Sequence, residues 1–304
     1  MQQRLVSTVS PSLQGAKPAV LYRSLKLMKP VTWFGPSWAF LCGAVASGVT
    51  GWNMPDIGHI MLGILLAGPV LCGASQIVND YFDRDVDALN EPQRLIPSGL
   101  VSMRQLVITV GALLAIGVSI GVYMGREVAL FSAIGLVLAL FYSAPPVRAK
   151  RNGWIGNTLV AISYEGLAWM AGHAAFAPLT VASVLIAGFY SLGAHGIMSI
   201  NDYKSIEGDR VSGIRTIPLL YGPERAARLI VLTMNLAQLG VIIAFTYWGS
   251  WWIALGIAVI LLIQLPLQRT FLRQPVENHL KFSAIGVSFF VWGMMVAAVG
   301  LRSL

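Results

Sequence analysis

The sequence has 304 residues, of which 56% are hydrophobic and 11% are charged, and its formal net charge is +8. Soluble globular domains carry roughly 25% charged residues, so this composition excludes an ordinary soluble domain and predicts a membrane protein. The two cysteines, Cys42 and Cys72, fall inside apolar stretches and give no sign of a disulfide framework.

Nine apolar stretches recur along the chain, each about 20 residues long and able to cross roughly 30 Å of hydrocarbon. We place them at 32–51, 58–79, 104–124, 127–144, 154–175, 179–200, 226–247, 250–268 and 282–301. Only three residues, 125–127, interrupt the third and fourth stretches, and we predict a tight turn there. Backbone groups in lipid must bond within their own segment, so each stretch is predicted to be a helix. The predicted fold class is an all-α polytopic membrane protein with nine transmembrane helices.

The basic residues are distributed unevenly. All but Arg126 and Arg302 of the 21 lysines and arginines lie in residues 1–30 or in the loops after the second, fourth, sixth and eighth stretches. The positive-inside rule therefore places the N-terminus and those loops in the cytoplasm. The excess of basic residues therefore indicates membrane topology and does not indicate nucleic-acid binding. We expect residues 1–30 to be an uncleaved cytoplasmic arm and residues 31–304 to form the nine-helix domain.

The acidic residues are concentrated in two blocks. Eight of the 13 lie in a first acidic block, residues 78–91, or in a second acidic block, residues 200–210. Both blocks contain Asn-Asp-Tyr, at 79–81 and at 201–203. Because the blocks follow the second and sixth stretches, they are predicted to emerge on the same face of the membrane.

Within the first block, Asn79, Asp83 and Asp87 are spaced at i, i+4 and i+8. On a helix that continues past the membrane they form one stripe about 12 Å long. Repulsion between the carboxylates near a helix C-terminus favours a bound divalent cation, although a solvated acidic loop is the alternative. Oxygen ligands without a Cys or His cluster nearby favour Mg²⁺ or Ca²⁺ over zinc or copper. Asp80 lies in an adjacent row, and Asp85 points elsewhere and is predicted to be dispensable.

Cationic side chains accompany both blocks: Arg84 and Arg94 near the first, and Lys204, Arg210 and Arg215 near the second. Carboxylates that hold a metal, beside cations that bind phosphate oxygens, are typical of a diphosphate site. Membrane anchoring is the alternative role for each basic residue. Since the site opens into a membrane bundle, a substrate with a diphosphate head and an apolar tail is predicted, which describes a prenyl diphosphate.

Four segments resemble the UbiA-type intramembrane prenyltransferases. The pattern Asn-Asp-x-x-Asp-x-x-x-Asp at 79–87 is similar to the first signature of that family, and residues 90–99 resemble its Arg-Pro-Ile-Pro-Ser-Gly segment, with Leu95 for the first proline. Residues 141–157 resemble its Tyr-Ser-x-Pro-Pro loop, and residues 207–222 resemble its second signature. The chain looks most like the chlorophyll and bacteriochlorophyll synthase branch of the family.

The resemblance implies nine helices around a central cavity, a cytoplasm-facing active site and Mg²⁺. It also implies transfer of a geranylgeranyl or phytyl group from its diphosphate to the propionate of bacteriochlorophyllide or chlorophyllide. The catalytic and metal-binding residues expected are Asn79, Asp83, Asp87, Asp202, Asp209 and Glu207. The substrate-binding residues expected are Arg84, Arg94, Lys204, Arg215, Arg148, Tyr142 and Glu165.

One position departs from the family pattern. Many relatives have Asp-x-x-x-Asp in the second signature, where this chain has Ser205 and Asp209. Asp202 or Glu207 is expected to replace the missing acid. Glu165, in the middle of the fifth stretch, is predicted to face a cavity. There it is expected either to contact the tetrapyrrole or to be hydrogen-bonded and protonated. His195 is expected to be a packed polar residue, and ligation of the pigment's central magnesium is the alternative.

Other functions remain open from the sequence. A haem, quinone or aromatic-ring prenyltransferase is the alternative within the family, and a membrane transporter is the alternative outside it. Transporters place acids near the midplane, whereas these acids cluster at one face. We expect the bilayer of a bacterial inner membrane, cytoplasmic or intracytoplasmic, to surround the protein. Homo-oligomers and partners in a photosynthetic assembly are left open.

Overall fold

The structure is a computed structural model that describes residues 19–304, so most of the expected N-terminal arm lies outside the described residues. Within that range the chain is helical and forms no β-strand, and its one isolated β-bridge pairs Asn152 with Arg215. A short helix, α1 (Val20–Leu27), belongs to the arm and packs against the first acidic block and the helix that follows it.

Fifteen α-helices are described between residues 19 and 304. In chain order after α1 they are α2 (Phe34–Ala46), α3 (Met54–Leu65), α4 (Gly73–Asn90), α5 (Met103–Met124), α6 (Arg126–Ser143), α7 (Gly153–Ala161), α8 (Ala168–Ala174), α9 (Val181–Met198), α10 (Ile206–Ser212), α11 (Ile217–Tyr221), α12 (Pro223–Tyr247), α13 (Trp251–Arg273), α14 (Pro275–Lys281) and α15 (Val287–Leu301). Three π-helical segments, Leu66–Cys72, Ile162–Leu167 and Phe282–Gly286, join α3 to α4, α7 to α8 and α14 to α15.

Each of the nine predicted stretches coincides with a helix or with a run of joined helices. Seven helices in the described part of the chain are long and apolar enough to cross a membrane, and Phe34–Ala46 is a shorter apolar helix. The prediction of an all-helical, multi-span membrane protein is therefore confirmed. That all nine stretches cross the bilayer, with the N-terminus in the cytoplasm, stays a prediction.

Two local predictions about helix ends are confirmed. A turn at Gly125 separates α5 from α6, and its φ of 127° lies in the region that only glycine adopts readily. The second stretch continues well past the apolar region, because Met54–Leu89 is one helical run of 36 residues. The first acidic block is therefore helical, as the spacing of its acids requires.

Helices α2 and α8 touch backbone to backbone through glycines. A Cβ on Gly43 would lie 1.9 Å from the Trp169 carbonyl oxygen, and one on Gly172 would lie 2.0 Å from the Phe40 carbonyl oxygen. Small residues allow such close approach where lipid supplies no hydrophobic force between helices. This contact joins the two buried apolar clusters of the protein, since Phe40 belongs to one and Trp169 to the other.

A loop crossing brings the two acidic blocks together. The Gly153 N–H donates to the Arg215 carbonyl oxygen at 2.8 Å, and the Arg215 N–H donates to the Arg151 carbonyl oxygen at 2.9 Å. A Cβ on Gly153 would lie 2.8 Å from the Ile217 nitrogen, so only glycine permits the approach. The loop between α6 and α7 is thereby fixed against the segment that follows the second acidic block.

Candidate active site

Basic side chains from the α6–α7 loop reach the first acidic block on α4. The Lys150 ammonium donates to Asn79 Oδ1 at 2.8 Å and to Asp83 Oδ1 at 2.5 Å. Arg148 also donates to Asp83 Oδ1, at 3.1 Å. The Lys150 side chain is only 8% exposed, and burial lowers its pKa while the charge of Asp83 opposes that shift. Asn79 and Asp83 are therefore bridged by one cationic side chain, the Lys150 ammonium.

Asp80 and Asp87 on the same helix bind different cations. Lys29, just after α1, donates to Asp80 Oδ1 at 2.6 Å. Arg94 donates to Asp87 Oδ2 at 2.9 Å, lies 3.8 Å from Asp80 and also pairs with Glu91. Asp80, Asp83 and Asp87 are thus neutralised by four basic residues from three parts of the chain.

Arg84 and Asp85 turn away from this cluster. The Arg84 guanidinium donates to the Tyr81 carbonyl oxygen at 2.9 Å and lies 4.5 Å from the centre of the Tyr81 ring. Asp85 is 85% exposed, and its nearest cation is Arg84 at 3.7 Å. The geometry agrees with the expectation that Asp85 points elsewhere, whereas a substrate-binding role for Arg84 stays a prediction.

The second acidic block divides between a short 3₁₀ turn, Asn201–Lys204, and α10. Asp209 on α10 accepts hydrogen bonds from Ser205 at 2.9 Å and from Thr216 at 3.3 Å. Burial raises the pKa of the Asp209 carboxyl, and these two hydrogen bonds oppose the shift. Ser205, which replaces an acid of the family pattern, therefore holds the remaining acid in place.

The other predicted residues of the second block face outward. Glu207 has a side chain that is 79% exposed and pairs with Arg210 at 3.3 Å. Lys204 and Arg215 are also exposed. These three residues are close to Asp202 in the sequence, but the structure does not bring their side chains to a shared contact. Their roles as a metal ligand and as phosphate ligands stay predictions.

A polar cavity connects the two blocks. It encloses about 900 Å³ of empty space, open mouth included, and its lining contains Asn79, Tyr142, Asn201 and Asp202. Asn157 also lines it and donates to the Ser199 hydroxyl at 2.8 Å. Asn79 of the first block and its counterpart Asn201 of the second, 122 positions apart, therefore meet at one space together with Asp202.

A second, apolar cavity of about 570 Å³ lies beside the polar one. The two share Ser75, Ala139, Ser163 and Tyr164 in their linings. The Tyr164 hydroxyl, at this junction, accepts from Gln76 at 3.0 Å and from Cys72 at 3.2 Å. Tyr164 thus lies between a polar cavity at the acidic blocks and an apolar cavity farther in.

Glu165 lies on the other side of the same π-helical segment. A Cβ on Gly35 would lie 3.8 Å from Glu165 Oε1, so the carboxyl faces α2. Glu165 does not line either of the two cavities described above. The expectation that it contacts the tetrapyrrole stays a prediction.

The donor set at the first block fits a hard cation. Between residues 19 and 304, no three His, Cys, Asp or Glu side chains lie close enough together to hold an ion as they stand. The side-chain oxygens of Asn79 and Asp83 nevertheless already accept hydrogen bonds from one cation, the Lys150 ammonium. Amide and carboxylate oxygens are the ligands that Mg²⁺ prefers.

The family model of the UbiA prenyltransferases matches residues 37–294 of the chain, which include both acidic blocks and most of the residues that line the two cavities. The chain belongs to this family. The prediction of the family from the two signatures and the Tyr-Ser-x-Pro-Pro loop is therefore confirmed, as is the prediction of a prenyltransferase.

Several named proteins resemble the chain over nearly its whole length. The bacteriochlorophyll synthase 34 kDa chain of Chloroflexus aurantiacus is 59% identical, and the match covers 94% of this chain and 92% of that protein. The chloroplastic chlorophyll synthase of Avena sativa is 39% identical over 90% of this chain and 75% of that protein. These matches agree with the branch that the motifs indicated.

Solved structures share the fold. A digeranylgeranylglyceryl phosphate synthase superimposes with a TM-score of 0.71 at 20% identity, covering 92% of this chain and 99% of that one. A UbiA homologue from Archaeoglobus fulgidus, bound to GPP and Mg²⁺, superimposes with a TM-score of 0.63 at 21% identity, covering 91% and 100%. At these identities the likeness extends to the fold alone.

Sequence reasoning missed several residues that organise the site. Lys29 appears in the sequence only as a charge of the arm, and Lys150 only as part of a basic loop, yet both bind acids of the first block. Ser205 reads as a lost acid, although it is a donor to Asp209. The one available signal was charge balance: a stripe of carboxylates needs cations, and the basic loop was the nearest supply.

Proposed function

We propose that the protein transfers a geranylgeranyl or phytyl group from its diphosphate to the propionate carboxylate of a bacteriochlorophyllide or chlorophyllide, with Mg²⁺ as cofactor. The observation that carries the proposal is the 59% identity to a bacteriochlorophyll synthase across 94% of the chain. The geometry supports it, because a polar cavity at the acidic blocks adjoins an apolar cavity that suits a prenyl tail.

Asn79, Asp83 and Asp87 on one side and Asp202 and Asp209 on the other are the residues that would hold Mg²⁺. When bound, the ion stabilises negative charge on the departing diphosphate. Use of Mg²⁺ by the Archaeoglobus homologue supports this assignment. Arg148, Lys150 and Arg94 form ion pairs with Asp83 and Asp87, which supports assigning to them the binding of phosphate oxygens.

The reaction balances without a strong base. The allylic C1–O bond breaks, its electron pair stays on the diphosphate, and positive charge develops at C1. A carboxylate oxygen of the pigment then forms the new C1–O bond, giving an ester and inorganic diphosphate. Propionate is already ionised near neutral pH, since carboxylic acids of this kind have pKa values of about 4. Tyr164 separates the polar end of the cavity from the apolar end and so orients head and tail.

Two further assignments rest on distribution rather than contact. The basic loops at the acidic ends of the helices support an active site that faces the cytoplasm of a bacterial inner membrane. Family membership supports a prenyltransferase over a transporter. A haem, quinone or aromatic acceptor is the remaining alternative.

Membranes containing the protein test the proposal when they are incubated with Mg²⁺, geranylgeranyl diphosphate and bacteriochlorophyllide. Esterified pigment is expected, and Asp83→Asn should reduce its rate at least 100-fold through lost electrostatic stabilisation. Asp85→Asn is the matched control, because this neighbouring aspartate is 85% exposed, and it should retain nearly full activity. Prenylation of 4-hydroxybenzoate or haem in place of the pigment would refute the acceptor, and full activity of Asp83→Asn would refute the site.

A further inference from the structure

A groove runs along the outer face of the protein between the helical run 153–174 and α9. It contains about 1080 Å³ of empty space, open solvent at its mouth included. Small residues form part of its lining, including Ala161, Gly166, Ala187 and Gly188. At 1.5 Å per residue, the part of α9 between its lining residues 184 and 195 is about 16 Å long.

The groove lies back to back with the active-site cavity. Asn157, Val160 and Ser163 line the active-site cavity, whereas Thr158 and Ile162, on the same helical run, line the groove. The two spaces share no lining residue. One helix therefore separates the outer groove from the space that joins the two acidic blocks.

His195 lines the groove near the end closest to the acidic blocks, and its tautomer follows from its neighbours. The Thr158 hydroxyl donates its single hydrogen to the Trp154 carbonyl oxygen at 2.8 Å. Thr158 Oγ1 must then accept the hydrogen bond from His195 Nδ1, which lies 3.2 Å away. The proton of a neutral imidazole is accordingly on Nδ1, and the lone pair is on Nε2. No hydrogen-bond partner for Nε2 is found among residues 19–304.

Aromatic packing fixes the plane of this imidazole. The Trp154 indole lies parallel to it, with ring centres 5.4 Å apart and an interplanar angle of 25°. The indole N–H in turn donates to the Tyr221 hydroxyl at 3.1 Å. An outer hydrogen bond that sets the tautomer and orientation of a histidine is the arrangement found at metal-ligating histidines.

The chemistry of the groove selects a particular ligand. Its lining contains no Lys, Arg, Asp or Glu, so it suits neither a hydrated cation nor a phosphate. A lipid chain would make no use of an oriented nitrogen lone pair. A metal inside a flat, apolar macrocycle would use both the apolar lining and the nitrogen lone pair. Such a metal is held in the plane by ring nitrogens and takes an axial imidazole.

We propose that His195 is an axial ligand to the central magnesium of a chlorophyll-type tetrapyrrole that binds in this outer groove. The choice of magnesium tetrapyrrole rests on the proposed function. The groove is then a second pigment position, separated by one helix from the cavity in which the ester forms. Either the free-acid acceptor or the esterified product has the required ring and metal.

Pigment binding to the full chain in lipid nanodiscs tests the inference directly. The probes are bacteriochlorophyllide a, its magnesium-free form bacteriopheophorbide a, and esterified bacteriochlorophyll a. Binding is followed by absorption bands that report the coordination number of magnesium. His195→Ala should weaken binding of the magnesium pigments about tenfold or more, and Thr158→Val about tenfold, as with other outer-shell changes at metal ligands.

Further variants separate ligation from folding. Added imidazole should restore the coordination signal in His195→Ala, which a purely structural role for His195 does not predict. Gly188→Phe should block the groove without strain at its Cβ, because that Cβ would have no neighbour within 4 Å. His59→Ala is the control and should bind as the unchanged protein does, since His59 packs elsewhere, against Phe176 at 5.2 Å.

The outcomes are distinguishable. Stronger binding of the free acid assigns the groove to the acceptor, and stronger binding of the ester assigns it to the product; both support the inference. Unchanged binding in both His195→Ala and Gly188→Phe would overturn it, as would equal binding of the magnesium-free pigment. In that case ester formation would still proceed, whereas failure of the proposed function appears as absence of ester from the unchanged protein.

Discussion

The hydrogen bond from Ser205 to Asp209 gives a quantitative prediction about the second acidic block. Ser205→Ala removes the donor at 2.9 Å and leaves only Thr216, at 3.3 Å. A hydrogen bond to a charged group contributes about 1.5–3 kcal/mol, and the half-buried position of Asp209 reduces this to about 1 kcal/mol. Since 1.36 kcal/mol corresponds to one pKa unit, the loss should raise the pKa of Asp209 by about 0.7 units.

The sign of the effect on Mg²⁺ follows from the ionised form. Burial already raises the pKa of Asp209, and in the proposed metal site only its carboxylate would bind Mg²⁺, so Mg²⁺ affinity is expected to fall as pH falls through that pKa. In Ser205→Ala the fall should begin at a higher pH. The pH at which half of the Mg²⁺-dependent activity remains is expected to move up by about 0.7 units.

Prenyl transfer measured over a grid of pH and Mg²⁺ concentration tests this shift. Ser212→Ala is a suitable control, because Ser212 lies on the same helix α10 and has no hydrogen bond to Asp209. Identical pH profiles for the Ser205→Ala variant and the unchanged protein would refute the reasoning. An equal shift in the control would assign the change to the helix as a whole.

Three further predictions concern other parts of the protein. Lys150→Met should raise the KM for prenyl diphosphate about tenfold, because it removes a cation that lies 2.5 Å from Asp83. The control Lys281→Met changes an exposed lysine and should leave the KM unchanged. An unchanged KM in Lys150→Met would contradict the role of Lys150. Tyr164→Phe should lose the contacts with Gln76 and Cys72 and reduce kcat/KM about tenfold, with full activity as the contrary result. Gly172→Ala should lower thermal stability by about 1–3 kcal/mol because its Cβ would lie 2.0 Å from a carbonyl oxygen, whereas Gly58→Ala, with nothing within 4 Å, should have little effect. Equal melting temperatures for the two glycine variants would exclude the close contact.

Much of the architecture was predictable because membrane helices obey local rules. Continuous apolar stretches mark helices in lipid, since every backbone group must bond within its own segment. The turn at Gly125 and the continuation of the second stretch through Asp87 were predictable from the same one-dimensional pattern. The helical periodicity also correctly separated Asp83 from Asp85, which the structure leaves 85% exposed.

The partners of the acids could not be predicted in the same way. Lys29 and Asp80 are 51 positions apart, and Lys150 and Asp83 are 67 apart, so no periodicity relates them. The role of Ser205 required knowledge of where the Asp209 carboxyl lies relative to α10. Expected metal and phosphate ligands such as Glu207 and Lys204 are near the site in sequence, but their exposure depends on packing.

The sequence by itself determined the class and family of the protein, the positions of the helices and the two acidic blocks. Those properties depend on composition and on spacing within one helix, which the chain carries locally. Only the tertiary structure decided which cation neutralises which acid, that the polar cavity lies beside the apolar one, and that His195 lines an outer groove. Each of these depends on helices that are distant in the chain, and their relative placement is set by close contacts such as those of Gly43, Gly153 and Gly172.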